Sequence, residues 1–159
     1  MIILGIDPGI ATTGYGVIKK QPKKALSCIS YNCIYTDKKD TAHERLRVLE
    51  NGLNSVIRLH RPDVIVVEKL YFAKNIKTAM PVAEARGVIL LTAAKHKLPV
   101  YEFTPLQMKM VVTGYGRAEK KQVQRMVQQI LSLSELPRPD DAADALGVAI
   151  TYADSIKGD

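Results

Sequence analysis

Two short runs of branched aliphatic residues, each closed by an acid, constrain the fold of this 159-residue chain more than any other feature. Met1-Ile2-Ile3-Leu4-Gly5-Ile6 ends at Asp7, and Val64-Ile65-Val66-Val67 ends at Glu68. A short apolar run without alternation reads as a strand buried on both faces, the condition of a central strand in a sheet covered by helices on each side. Two such strands side by side would carry both acids to one end of the sheet. An acid directly after four β-branched residues is poorly suited to a strand end unless something there needs it. A third run, Ala142-Ala143-Ala145-Leu146-Val148-Ala149-Ile150, has a helical pattern and opens on Asp141 and Asp144. Their i, i+3 spacing sets both on one face of the first turn, where the helix dipole also favours negative charge. Each acid alone has an ordinary use as cap, turn former or strand end. All four together call for a common explanation, and carboxylates brought together make a metal site.

The order of elements says whether they can meet. Strands are predicted at about Ile2–Asp7, Gly14–Lys19 and Ala25–Tyr35, with turns at Asp7-Pro8-Gly9 and Gln21-Pro22-Lys23-Lys24. Asp40 or Thr41 can cap a helix whose apolar face holds Leu46, Leu49, Leu53, Val56 and Ile57, and which stops at His60-Arg61-Pro62. A parallel strand Val64–Glu68, a long helix from Thr78 to about Lys97 and a strand Pro99–Phe103 follow. Thr104-Pro105 then caps the first of three helices, at roughly 105–112, 118–132 and 141–156. This is the order of a ribonuclease H-like α/β fold, a mixed five-stranded sheet flanked by helices. In that fold the first and fourth strands are central neighbours and the last helix faces their ends, so the four acids would converge.

With 47% apolar residues, the length suits one domain spanning 1–159. The formal charge of +7, despite a proposed acidic cluster, implies a strongly positive remainder and a polyanionic partner. Cys28 and Cys33, five residues apart in one predicted strand, should lie on opposite faces and remain thiols, in keeping with a reducing cytoplasm. The start of the chain reads as a strand without a basic leader, and no apolar stretch reaches membrane-spanning length, so a cytoplasmic location is expected.

Four nearby carboxylates repel one another and select a hard divalent cation with oxygen ligands, magnesium or manganese. Two such ions can activate water and stabilise the leaving oxygen in phosphodiester hydrolysis. Zinc is disfavoured, because His43, His60 and His96 offer no ligand pair and are expected to be solvated. No Gly-x-Ser-x-Gly stretch occurs, and neither cysteine has a nearby histidine in sequence. The segment from Lys109 to Arg125 holds Lys109, Arg117, Lys120, Lys121 and Arg125, around Gly114-Tyr115-Gly116. DNA needs such a surface beside the acids to bring its phosphates in; an ordinary solvated helix face is the bland alternative.

Gly5-Ile6-Asp7-Pro8-Gly9, Thr13-Gly14-Tyr15-Gly16, Val67-Glu68, Phe72-Ala73-Lys74-Asn75, Ala85-Arg86-Gly87 and Asp141-Ala142-Ala143-Asp144-Ala145-Leu146 resemble the RuvC family of bacterial Holliday junction resolvases, in order and over nearly the whole chain. The resemblance implies a homodimeric, magnesium-dependent endonuclease that cuts two opposed strands of a four-way DNA junction and works with a branch-migration motor in recombination and repair. It assigns Asp7, Glu68, Asp141 and Asp144 as catalytic metal ligands for two ions, with manganese as a substitute for magnesium. It places Lys109 and Lys120 near the scissile phosphate and adds Lys74, Asn75 and Arg117 to the DNA-binding set. The family usually has Gln after the second acid and Phe two further on. Here the sequence is Glu68-Lys69-Leu70-Tyr71-Phe72, so the aromatic that stacks at the junction is Tyr71 or Phe72, with Tyr71 favoured by position. An actin-like ATPase would need two half-domains that this length cannot supply. A non-catalytic binder would not need four acids, and a nuclease acting on RNA or RNA–DNA hybrid is separable by substrate. The long helix from Thr78 is apolar nearly all round, so one side can pack on the sheet and the other on a second subunit.

Overall fold

The computed structural model describes residues 1–69 and 76–156. Its elements are β1 (Ile2–Asp7), β2 (Thr12–Lys19), β3 (Ser27–Tyr35), α1 (Ala42–His60), β4 (Val64–Glu68), α2 (Ile76–Lys95), β5 (Val100–Phe103), α3 (Pro105–Thr113), α4 (Lys120–Ile130) and α5 (Asp140–Ser155). The sheet order is β3-β2-β1-β4-β5. β1 to β3 run antiparallel, while β4 joins β1 in parallel and β5 extends that half. The five-stranded mixed sheet expected from the sequence is therefore present, with the two acid-ended strands at its centre.

Residue alternation along the central strands divides the core in two. Leu4, Ile6, Ile65 and Val67 face α1 and α2, meeting Leu49, Leu53, Ala85 and Ile89. Ile3, Val64 and Val66 face the other way, onto Met108, Val123, Leu146, Ala149 and neighbouring residues of α3, α4 and α5. Both faces of β1 and β4 are thus covered, which accounts for their unalternating composition. Because the period is two, Asp7 and Glu68 lie on the α5 side.

Local signals explain the boundaries. The backbone N–H of Thr41 donates to Glu44 Oε2 at 3.2 Å, starting α1, and Arg61 ends it at φ 47° immediately before Pro62. Thr104 and Gln107 exchange the equivalent pair of bonds at the start of α3. Gly114 ends that helix at φ 73°, a conformation glycine adopts without strain. At the far end of α5, Lys20 Nζ donates to the carbonyls of Ala153 and Ile156 at 2.8 and 2.9 Å.

Two expectations are corrected. Ser30 pairs with Val17 but Cys28 with Ile18, so Ile29 is an extra residue in β3. That bulge reverses the alternation. Cys28 packs on the α5 core and Cys33 lies beside Ala142, so both thiols face α5 rather than opposite sides. They remain free, four β2 residues apart in register and beyond disulfide reach. His96 lies just past α2 and is half-buried, its Nε2 2.6 Å from Asn54 Oδ1, rather than solvated. α3 and α4 pack against α5, on the face of the sheet opposite α2. Among the described residues no helix is long and apolar enough to cross a membrane.

Candidate metal and DNA-cleavage site

The site begins with three glycines. Gly5 on β1 and Gly14 and Gly16 on β2 share the face beneath α5, with Gly5 paired to Gly16 and Gly14 paired to Asp7. A Cβ at Gly14 would stand 2.0 Å from the Asp141 carbonyl oxygen, and one at Gly5 would stand 2.0 Å from that of Ala145. At Gly16 it would meet Leu146 at 2.7 Å. These strands therefore receive the backbone of α5 directly, and the register of Gly14 opposite Asp7 puts its first turn over the acid-bearing strand ends.

Electrostatics follow from that placement. Burial pushes the Asp7 carboxyl well above its usual range, reinforced by Glu68, Asp144 and Asp141. Glu68 is also raised by burial, against the pull of Lys109 and Lys120. A side-chain interaction between Asp7 and Glu68 adds to the rise of Asp7 and opposes that of Glu68. Asp144 is raised to about 7, by burial first and then by the charge of Glu68, with Lys120 opposing. The charges of Glu68, Asp144 and Asp141 all reach Asp7, so the structure places the four expected acids at one end of the sheet.

The donor set is all carboxylate oxygen, desolvated and short of positive charge, which fits a hard divalent cation and not a soft one. As the side chains stand, no three acidic, histidine or cysteine groups among the described residues form a ready-made ligand cage. The hydrogen bond between Asp7 and Glu68 turns those two carboxyls toward each other.

Of the expected DNA-binding residues, Lys109 and Lys120 act electrostatically on Glu68 and so border the acids. Arg117 is exposed in the turn between α3 and α4. Tyr71, Phe72, Lys74 and Asn75 lie outside the described residues. Arg86, a motif residue, is engaged elsewhere, its Nη2 2.6 Å from Glu102 Oε1 on β5. Sequence reasoning quoted the glycines without seeing their task; the signal was Gly14 and Gly16 two apart on one strand, with Gly5 before the first acid. It also passed over Gln124, Arg138 and Asp140, which share a cleft with Asp141.

The family pattern described as "Crossover junction endodeoxyribonuclease RuvC" matches residues 3–152. A protein of that name from Ruminiclostridium cellulolyticum is 54% identical over 155 residues, covering 98% of this chain and 93% of its own. Another from Halothermothrix orenii is 48% identical over 157 residues, covering 99% and 94%. The solved structure "T. thermophilus RuvC in complex with Holliday junction substrate" superposes with a TM-score of 0.90 at 35% identity, covering 96% of this chain and 93% of that one.

Proposed function

The chain belongs to the RuvC family of crossover junction endodeoxyribonucleases, and from that premise we propose that its four clustered acids hydrolyse phosphodiester bonds at four-way DNA junctions with the help of divalent metal ions. The carrying observation is the meeting of Asp7, Glu68, Asp141 and Asp144 over the glycine floor, where burial and mutual repulsion raise Asp7, Glu68 and Asp144 together. Such a cluster is poorly stable unless a cation neutralises it. Asp7, Glu68, Asp141 and Asp144 would hold magnesium, or manganese in its place, as one or two ions. When bound, these would supply an activated water and charge neutralisation at the leaving oxygen.

The rest of the work falls to the chain's own groups. Lys109 and Lys120 sit beside Glu68 and oppose the repulsion a phosphate would otherwise meet on approach. The α5 face of the sheet keeps the acids desolvated on one side, while the rim beside Lys120 and Asp141 stays open to a strand.

The proposal includes a homodimer, because resolving a junction into two duplexes takes two symmetric nicks and the chain carries one acid quartet. On α2, Ala85, Ile89 and Ala93 face the sheet. The opposite stripe, with Met80 67% and Leu91 54% exposed and open space above Gly87, supports packing against a second copy. A branch-migration motor as partner and a cytoplasmic location complete the proposal. The test is to incubate the protein with a four-way junction, a matched duplex and an RNA–DNA hybrid, each with magnesium or with chelator. Paired nicking of the junction alone, lost in chelator, is expected; preferential cutting of the hybrid would refute the reading.

A further inference from the structure

A cleft of about 910 Å³ lies between α4 and the segment leading into α5, lined by Lys120, Lys121, Gln124, Arg138, Asp140 and Asp141. It opens directly onto the acid cluster, since Asp141 belongs to both. Its charges are unevenly engaged. One Asp140 oxygen accepts a hydrogen bond from Gln124 Nε2 at 2.7 Å, and the other stands 3.6 Å from Lys120 Nζ. The rim carboxylate is thereby occupied. Arg138 and Lys121, by contrast, have no hydrogen-bond or ion-pair partner among the side chains of the described residues.

We propose that this cleft seats the backbone phosphate next to the scissile one, with the Arg138 guanidinium as its contacting group. The inference rests on the nuclease reading above and extends it to a residue outside the Lys109-to-Arg125 segment. Three features carry it. A guanidinium presents paired donors that match two phosphate oxygens, which a lysine cannot do. Arg138 stands between Pro137 and Pro139, whose rings restrict the backbone on either side, so the group is offered from a stiff segment. It also precedes Asp141 by three residues, so a phosphate held there is fixed in relation to a carboxylate of the cutting site.

The experiment compares the wild-type protein with Arg138→Gln for binding to a four-way junction in chelator across a salt series. Junctions carrying a neutral methylphosphonate at single positions around the cut are measured alongside. Loss of one phosphate contact should flatten the log–log salt slope by about 0.9. At one methylphosphonate position next to the cut, the wild-type protein should lose several-fold in affinity and the variant little or nothing. Arg138→Lys should restore most of the slope, showing that charge and not folding is responsible. An unchanged slope, together with identical methylphosphonate profiles, would overturn the proposal. A wild-type protein that binds the junction but never cuts it would overturn the nuclease reading while leaving the slope comparison decisive for the cleft. One with no affinity for the junction would overturn both.

Discussion

Replacing Asp144 by asparagine should stabilise the ion-free protein at alkaline pH, and the gain should shrink as the solution is acidified. The folded chain holds the Asp144 carboxyl at about 7, against 3.8 for the free group. Between those values it keeps a proton that the unfolded chain has released, so each step upward in pH through that window subtracts stability. Below 3.8 the penalty is absent, and above about 7 it is complete. A displacement of that size corresponds to about 4 kcal/mol as an upper figure. Some of it is shared with Glu68, Asp141 and Asp140, and the asparagine amide carries its own desolvation, so a net gain of about 1–3 kcal/mol at pH 8 is expected. For a domain of this length that is roughly 3–10 °C in Tm. Thermal unfolding of wild type and Asp144→Asn in chelator at pH 5, 6.5 and 8 measures it. At pH 5 the gain should be less than half that at pH 8. Added magnesium should raise the wild-type Tm more than that of the variant, because the cation relieves the same repulsion. A variant no more stable than wild type at pH 8, or one stabilised equally at both ends of the range, would refute the reasoning.

Asp7→Asn and Glu68→Gln should each remove cleavage by about a hundredfold or more, with junction binding kept or tightened, since a ligand is lost and repulsion toward phosphate falls; single-turnover cutting beside a gel-shift titration checks both. Gly14→Ala must push back the first turn of α5, because its Cβ would stand 2.0 Å from the Asp141 carbonyl. Displacing the acids by an ångström should lower cutting about a hundredfold while the protein still folds by circular dichroism. Leu91→Glu, on the exposed stripe of α2, should split the dimer, whereas Val88, which packs on the α1–α2 core, is the poorer probe because its loss would disturb folding. Solution mass at micromolar concentration decides this, and a monomeric wild-type protein that still makes paired nicks would refute the dimer.

The acid-bearing half of the fold was legible because its signals are local and redundant. Val64 to Glu68 and Ile2 to Asp7 state both their burial and their charged ends in consecutive residues, and Thr104-Pro105 announces a helix start by its chemistry. The β3 bulge was not legible, since Ser27 to Tyr35 mixes polar and apolar residues without a period that an extra residue could break visibly. Cys28 and Cys33 were therefore expected on opposite faces. The bond between His96 and Asn54 joins residues 42 apart, and the cleft around Arg138 joins α4 to the segment before α5; neither has a sequence signature. The outward face of α2 was ambiguous while nearly every position was apolar, and only packing against α1 and the sheet separated Leu91 from Val88.

The grip of Lys20 on the last carbonyls of α5 acquires a different meaning once the acids are located. The glycines set how deep the helix sits, but a helix resting on a smooth floor could still slide along its axis. The ammonium of Lys20, bonded to Ala153 and Ile156, fixes that remaining coordinate from a point about 14–18 Å from Asp144 along the helix. A slip of one residue would carry both aspartates 1.5 Å past Asp7 and Glu68, more than the single ångström that already costs a rate about a hundredfold. A lysine on the opposite end of the domain therefore serves as an axial stop for the chemistry, and its neutralisation would be felt as a loss of alignment far from where the charge was removed.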